Sequence, residues 1–320
     1  MATFGGYETV HEIYRHGLGS VSRAKVANPT EGSNGEPNYV VKAFQPPYRI
    51  AGQDAIKPAV RSFLDRARTQ LQGRLDRDVA KGRRTQEDVD AAFGRLTFTT
   101  DLDVAAATAD LVIEAAVEDL TIKREVFARL VKAAPPHAIL TTNSSAIMSS
   151  QLADATGRPD RVANMHFFNP ALVMRCVEVV RGPATSDATV DAVVALTRQL
   201  GKEPVVLRKE IPGFVANRIL GAARDEAIFL LEQGVASVED IDAACRTALG
   251  YPMGPFELMD LTGIDIGYHA KLARHAVTGD PRDLPSRTVT EHVERGELGR
   301  KTGKGFYSYD QDGNRMETRT

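Results

Sequence analysis

Hydrophobic and polar positions divide this 320-residue chain into three parts that differ in their pattern. Residues 1–52 are rich in glycine and polar turn residues, and their one short apolar run, at 39–43, predicts a strand. In residues 53–208, short β-branched runs alternate with amphipathic helical stretches. From residue 209 onward the pattern is helical throughout. We therefore predict an α/β domain with a mostly parallel sheet, followed by an all-α domain.

The same pattern predicts the individual elements. Apolar runs in the second part predict strands at 95–99, 111–115, 138–142 and 204–207. Apolar residues at helical spacing predict helices at 53–82, 121–134, 186–200 and 214–232. Ser237, followed three residues later by Asp240, is typical of the start of a further helix. More helices are expected to about residue 294, and a loop with aromatic residues follows.

Two strand-like pieces, RVANMH and RCVEVV, carry the most informative pair of residues in the chain. They place His166 12 positions before Glu178, with only a short turn-rich link between them. Such a link allows only an antiparallel hairpin, because a parallel return needs a long crossover. A hairpin can bring the imidazole and the carboxylate together, which is how a histidine base is held in one tautomer and its cationic form is stabilised.

Both residues also have a purely structural interpretation. A lone histidine is usually a core residue with a nearby acceptor, and a glutamate is usually at the surface. Glu178, however, stands in the otherwise apolar run CVEVV. A carboxylate in apolar surroundings usually has a partner. We therefore favour a functional pair over two unrelated side chains.

Polar residues follow two of the predicted strands, where the carboxyl ends of a parallel sheet line a ligand crevice. Ser145 lies in LTTNSSAI, after the strand at 138–142. Glu118 and Lys123 follow the strand at 111–115 and suit a loop acid and a first-turn lysine that reach a cofactor. For Ser145 alone, simple turn chemistry is the favoured interpretation. For Glu118 and Lys123, a solvated helix start is at least as good an explanation. No G-x-S-x-G motif surrounds Ser145, so a nucleophilic role for it is weakly supported.

Asn217 lies in IPGFVANRIL, at the start of the predicted helix at 214–232. Asparagine is a poor helix former, so this residue is either present for a specific hydrogen bond or is a helix cap at the surface. The preceding Gly213 allows an unusual backbone angle or a close approach.

The N-terminal glycines do not form a dinucleotide-binding fingerprint. Gly17 and Gly19 begin a G-x-G-x-x-G pattern, but Ser22 occupies its third position. The preceding residues HEIYRH are too polar for a buried parallel strand, and Gln45 stands where an acidic residue would follow the strand at 39–43. The segment faintly resembles a protein-kinase glycine loop, but neither H-R-D nor D-F-G follows. A turn-rich surface segment is the simpler interpretation.

Composition limits the classes of function. The formal net charge is −2, which argues against a nucleic-acid or anionic-membrane partner that is bound through bulk charge. Cys176 and Cys245 are the only cysteines, and their spacing suits neither a disulfide framework nor a zinc site. The first residues contain no apolar run typical of a signal peptide, and no stretch is long enough to span a bilayer. We expect a cytoplasmic protein without a bound metal.

Several long motifs, in order, resemble the L-3-hydroxyacyl-CoA dehydrogenase family from about residue 61 to 309. They are DLVIEAAVEDLTIKREVF, LTTNSSA, MHFFNPALVMRCVEVVRG, LGKEPVV, IPGFVANRIL, GYPMGPFELMDLTGID and RKTGKGFYSYD. The resemblance implies interconversion of 3-hydroxyacyl-CoA and 3-oxoacyl-CoA with NAD in fatty-acid β-oxidation. It also implies an atypical N-terminal segment (1–52), a divergent or incomplete Rossmann-like domain (53–208), and a helical domain for dimerisation and substrate binding (209–320).

The resemblance also implies roles for individual residues. His166 matches the family's catalytic base and Glu178 its carboxylate partner. Ser145 matches a serine that contacts the substrate, since it lies 21 positions before His166, and Asn217 matches an active-site asparagine. The positions that match cofactor contacts are Glu118, Lys123, Asn143, Ser145 and Asn169. The family's glycine loop and acidic residue, which bind the adenosine and pyrophosphate of NAD, have no counterpart in residues 1–52.

Two alternatives remain at this point. In the first, the chain is a relic that binds acyl-CoA or a partner and has lost NAD. In the second, it is a related dehydrogenase of a small hydroxy acid without CoA. Within the main interpretation we expect a homodimer, because the helix at 214–232 has more apolar surface than one small helical layer needs.

Overall fold

The structure is a computed structural model that describes residues 21–25, 38–42 and 53–316. Gly17 and Gly19, the turn-rich residues 26–37, and Gln45 lie outside the described residues. The chain forms two compact units, Met1–Phe214 and Val215–Thr320.

The described part of the first unit contains an eight-stranded sheet in the order β3-β1-β2-β4-β5-β6-β7-β8. The strands are β1 (Val21–Lys25), β2 (Asn38–Lys42), β3 (Leu96–Thr99), β4 (Leu111–Glu114), β5 (Ile139–Thr142), β6 (Val162–Phe167), β7 (Cys176–Val180) and β8 (Glu203–Leu207). The pairs β2–β4, β4–β5, β5–β6 and β7–β8 are parallel. The pairs β1–β2, β1–β3 and β6–β7 are antiparallel. The predicted mostly parallel sheet is confirmed.

Helices alternate with these strands in the first unit. They are α1 (Gln53–Ala80), α2 (Gln86–Gly94), α3 (Leu102–Ala106), α4 (Leu120–Ala133), α5 (Ser150–Ala153) and α6 (Asp187–Gln199). The short helices α2 and α3 were not predicted, although each begins at a capping side chain. Thr85 accepts a hydrogen bond from the Asp88 amide, and Asp101 accepts from the amides of Asp103 and Val104.

The two faces of the sheet bury different side chains, as the period of two in a strand requires. On one face, Val112, Leu140 and Val162 belong to a core with apolar residues of α3, α4 and α5. On the other face, residues of β4, β6 and β7 pack with α6 around Val193. Asn164 and His166 alternate with Met165 and therefore lie on the same face as Val162.

β1 was not predicted. It lies between β2 and β3, antiparallel to both. Its sequence VSRAK has two charged residues and no apolar alternation. Pairing on both edges, rather than the hydrophobic pattern, makes it a strand. The prediction of a turn-rich surface segment is therefore wrong for these five residues.

Among its described residues, the second unit is formed by helices and short turns around one core. The helices are α7 (Ala216–Glu232), α8 (Val238–Ala248), α9 (Pro255–Thr262), α10 (Ile264–Thr278) and α11 (Arg287–Glu294). Ser237 caps α8 by accepting from the Asp240 amide, as predicted. Across the described chain, no helix combines the length and apolarity that crossing a membrane requires.

Two fully buried carboxylates attach the C-terminal loop to this core. Asp260 accepts hydrogen bonds from the Phe306 and Tyr307 amides, at 3.0 and 2.9 Å, and from the Tyr309 hydroxyl, at 3.0 Å. Asp242 accepts one from the Tyr307 hydroxyl at 2.8 Å. Burial raises the pKa of the Asp260 carboxyl, and the hydrogen bonds partly oppose this effect. The predicted aromatic end of the chain is therefore held by buried acids.

Candidate active site

His166 and Glu178 face each other across the β6–β7 hairpin. They are directly paired in the antiparallel register, and Nδ1 of His166 lies 2.9 Å from Oε2 of Glu178. Both side chains are buried. The predicted hairpin and the predicted contact are confirmed.

This contact decides which nitrogen of the imidazole can act as a base. A carboxylate only accepts hydrogen bonds, so Nδ1 carries the proton that it donates to Glu178. In the neutral ring, Nε2 is then unprotonated. Among the described residues, Nε2 has no hydrogen-bond partner. Its lone pair therefore remains available to a substrate proton.

Two aromatic rings enclose the imidazole. The Phe168 ring meets that of His166 edge to face, with centroids 4.6 Å apart, and the Phe214 ring lies at 5.5 Å. Phe214 is fully buried and has a φ of 49°, which is uncommon for a residue other than glycine. Gly213 precedes it with a φ of 78°. The predicted freedom of Gly213 therefore serves a turn that places Phe214 against the base.

The loop after β5 carries Ser145, and several neighbours hold this loop in place. Gly213 donates its amide to the Ser145 carbonyl at 3.2 Å. Asn143 accepts a hydrogen bond from the Phe167 amide at 2.8 Å, and the Ser144 hydroxyl donates to Glu118. Ser145 itself is half-buried, and its hydroxyl has no hydrogen-bond partner among the described residues. This hydroxyl remains available for a ligand.

A buried amide, which was not predicted, ties the same loop to the strand of the base. Asn164 is fully buried on β6, two residues before His166. Its Nδ2 donates to the carbonyls of Ser144 and Ile147, each at 3.1 Å. Its Oδ1 accepts from the Ser149 amide at 2.7 Å.

Lys123 is fully buried on α4, and its ammonium is bound by protein groups. Nζ lies 2.8 and 3.0 Å from the two carboxylate oxygens of Glu114, and 3.2 Å from the Ala116 carbonyl. Nζ of Lys123 also lies 3.4 Å from Oε2 of Glu118, whose side chain is partly exposed. A direct contact of Lys123 with a cofactor stays a prediction.

Glu114 was not predicted as part of this group. It ends β4, is fully buried, and also accepts a hydrogen bond from the Thr142 hydroxyl at 2.6 Å. A glutamate that ends the apolar run LVI is the same kind of signal that identified Glu178.

The structure shows no hydrogen bond between this group and the side chains of the two remaining predicted residues. Asn169 is exposed in the link between β6 and β7, before a cis peptide bond to Pro170. Asn217 is the second residue of α7 and belongs to the second unit. Their roles at the site stay predictions.

Glu118 follows β4, at the edge of the sheet where parallel strands end and ligands bind. The Glu118 side chain is 31 % exposed, and its carboxylate has acceptor capacity beyond its contacts with Ser144 and Lys123. A carboxylate at the carboxyl end of a parallel strand can accept hydrogen bonds from ribose hydroxyls.

Comparison with known proteins identifies the family. The description "3-hydroxyacyl-CoA dehydrogenase, NAD binding domain" matches residues 55–211, and the C-terminal domain of the same enzyme matches residues 213–309. The first 54 residues thus lie outside both matches.

Relatives of known name agree with this match. The chain is 40 % identical over 241 residues to a probable 3-hydroxybutyryl-CoA dehydrogenase of Bacillus subtilis, which covers 75 % of this chain and 83 % of the relative. It is 42 % identical over 229 residues to the mitochondrial hydroxyacyl-coenzyme A dehydrogenase of Homo sapiens, with 70 % and 71 % covered.

A solved structure agrees as well. The (S)-3-hydroxybutyryl-CoA dehydrogenase PaaH1 from Ralstonia eutropha superimposes with a TM-score of 0.73 at 38 % identity, over 78 % of this chain and 88 % of that chain. The chain therefore belongs to the 3-hydroxyacyl-CoA dehydrogenase family and is an NAD-dependent oxidoreductase that interconverts 3-hydroxyacyl-CoA and 3-oxoacyl-CoA.

Proposed function

We propose that His166 is the proton acceptor of this reaction and that a short-chain thioester such as 3-hydroxybutyryl-CoA is its substrate. The observation that carries the first part is the 2.9 Å contact of Nδ1 with Glu178, which leaves Nε2 for the substrate. The names of the relatives from Bacillus subtilis and Ralstonia eutropha support the second part.

In the oxidation direction, Nε2 of His166 takes the proton of the 3-hydroxyl group. Glu178 keeps the ring in the required tautomer and stabilises the imidazolium that forms. Bound NAD supplies the acceptor for the hydride that leaves carbon 3. General-base assistance of this kind contributes about 10²–10⁴-fold to the rate. In the reverse direction, the imidazolium returns the proton to the new hydroxyl.

Other residues of the chain position the reactants. Ser145 and Asn217 fix the oxygens of the reacting unit, and such orientation contributes as much to the rate as proton transfer does. Glu118, Asn143, Ser145 and Asn169 would hold the cofactor when it is bound. Lys123 supports this surface through Glu118, since its Nζ lies 3.4 Å from that carboxylate.

We also propose that the helical unit forms a homodimer. Val215, Ile219 and Phe229 are 42, 63 and 53 % exposed. The helical period places these three positions in one stripe along α7. An exposed apolar stripe of this kind is typical of a protein interface. A cytoplasmic location stays a prediction, and the human relative is named mitochondrial.

Two measurements on the full chain test the proposed function. Calorimetric titration with NADH is expected to give a dissociation constant in the micromolar range. Reduction of acetoacetyl-CoA is expected to be much faster than reduction of a free keto acid. A chain that does not bind NADH would support the acyl-CoA-binding relic instead. Equal turnover of the free keto acid would contradict the CoA thioester as the substrate.

A further inference from the structure

We propose that Asn164 is a positioning residue that sets the place of Ser145 relative to His166. This inference rests on the proposed contact of Ser145 with the substrate. It adds a residue that makes no proposed contact with substrate or cofactor and acts through the loop that it holds.

The Asn164 side chain makes three hydrogen bonds to the loop that carries Ser145. Both N–H groups of the Asn164 amide are used, on the carbonyls of Ser144 and Ile147, each at 3.1 Å. Its oxygen accepts from the Ser149 amide at 2.7 Å. The three bonds attach to the loop on both sides of Ser145.

The orientation of the amide follows from its partners. Two of the partners are carbonyl oxygens, which only accept, and the third is an amide N–H, which only donates. Exchange of the oxygen and the nitrogen of Asn164 would therefore place like groups against each other at all three contacts. The loop thus has one bonded arrangement with respect to β6.

The strand that carries Asn164 is held on both of its edges. β6 is bonded to β5 on one edge and to β7 on the other, and Asn164 is paired with Thr142 and Val180. His166 lies two residues further on the same face. One short piece of a central strand therefore fixes both the base and the loop that carries the serine.

Burial makes this attachment strong. Asn164 and the Ser149 residue that donates to it are almost completely inaccessible to solvent, at 0 and 1 % exposure. Water cannot replace the partner of the Ser149 amide at this depth without rearrangement, and removal of the Asn164 amide would also take its donor from the carbonyls of Ser144 and Ile147. The loop is then expected to shift, and a displacement of about 1 Å at a reacting centre can cost about 10²-fold in rate.

The test is a double-mutant cycle with Asn164→Ala and Ser145→Ala, measured as kcat/KM for reduction of acetoacetyl-CoA by NADH. Each single variant is expected to lower kcat/KM by about tenfold or more. The double variant is expected to be no slower than Ser145→Ala alone, because Asn164 acts through that serine. Thr197→Val is the matched control, since Thr197 is equally buried and donates only to the Val193 carbonyl within α6.

A second variant, Asn164→Asp, keeps the inference testable if Asn164→Ala does not fold. Asn164→Asp keeps the volume and the acceptor for the Ser149 amide, but its ionised carboxylate repels the two carbonyls. Its kcat/KM is expected to fall at least as far as that of the alanine variant, and to recover partly at low pH, where a protonated carboxyl can donate to one carbonyl. The circular dichroism of every variant is compared with that of Thr197→Val.

The outcomes separate the inference from the function on which it rests. If Ser145→Ala loses activity while the Asn164 variants match Thr197→Val, the inference is wrong and the role of Ser145 stands. If the two losses multiply in the double variant, Asn164 does not act through Ser145 and the inference is again wrong. If Ser145→Ala keeps full activity, the proposed role of Ser145 fails, and the inference fails with it.

Discussion

His166 depends on one neighbour for its chemistry. Its contact with Glu178 determines which ring nitrogen carries the proton, and the rings of Phe168 and Phe214 lie close to the imidazole, with centroids 4.6 and 5.5 Å away. A replacement at either position of this buried pair must keep a hydrogen bond to the other side chain, or a buried polar group is left without a partner.

Replacement of His166 by glutamine should abolish most of the activity. Glutamine keeps a donor for Glu178 but has no basic nitrogen, so kcat is expected to fall by about 10²–10⁴-fold. Steady-state kinetics with acetoacetyl-CoA and NADH measures the loss, and thermal unfolding should show little change in Tm. His137→Gln is the control, because the His137 side chain is 62 % exposed and pairs with Asp110 at the surface. Retention of activity by His166→Gln would place the base elsewhere.

Replacement of Glu178 by glutamine should change the pH dependence as well as the rate. Without the anion, the imidazolium that forms during the oxidation loses its stabilising partner. The acidic limb of the kcat/KM profile for oxidation is therefore expected to move to lower pH. Rate measurements over a pH series with 3-hydroxybutyryl-CoA and NAD check this. An unmoved limb would show that Glu178 does not stabilise the charged ring.

Some residues of the candidate site could be predicted from the sequence and others could not. Glu178 was found because a charge in CVEVV needs a partner. Asn164 in RVANMH and Glu114 in LVIE are also polar residues in apolar runs and therefore also need partners, but neither residue was predicted. Phe214 was missed for a different reason, because its contact with His166 depends on the backbone turn at Gly213. Such a tertiary contact leaves no periodic signal.

At the level of elements, periodic patterns predicted the long helices and buried strands to within a few residues. The helix predicted at 53–82 is α1 (Gln53–Ala80), and the strand predicted at 138–142 is β5 (Ile139–Thr142). β1 could not be predicted, since a charged five-residue strand is determined by its two neighbours in the sheet. The hydrophobic pattern therefore predicts the amphipathic helices and the buried strands, whereas the polar strand β1 depends on its pairing with β2 and β3.

The C-terminal loop of the second unit allows a stability test. A methyl group on Gly305 would overlap the Asp260 carboxylate, which is buried and has no space to move. Gly305→Ala is therefore expected to lower the free energy of unfolding by about 1–3 kcal/mol. Urea denaturation measures the change.

Gly221 is the matched control for that test. It lies within α7, and a methyl group there would meet nothing within 4 Å. Because alanine is the better helix former, Gly221→Ala is expected to raise the free energy of unfolding by about 0.5–1 kcal/mol. A stabilising Gly305→Ala would contradict the close packing of the loop against Asp260.

At the level of the whole molecule, the proposed homodimer can be tested by one charge. Ile219→Glu would place a carboxylate in the apolar stripe of α7, where Ile219 is 63 % exposed. The variant is expected to be monomeric at concentrations at which the unaltered chain is dimeric. Sedimentation velocity measures the two masses. Val104→Glu is the control, since Val104 is 59 % exposed in the other unit. A monomeric unaltered chain would rule out the proposed dimer.

The β6–β7 hairpin has a consequence for how this molecule can change over evolutionary time. His166 and Glu178 lie on adjacent strands of one continuous piece of chain, so only a short link separates them in the sequence. Recombination or wholesale replacement upstream of residue 55 would leave this piece undivided. Such changes would therefore leave the contact between His166 and Glu178 in place.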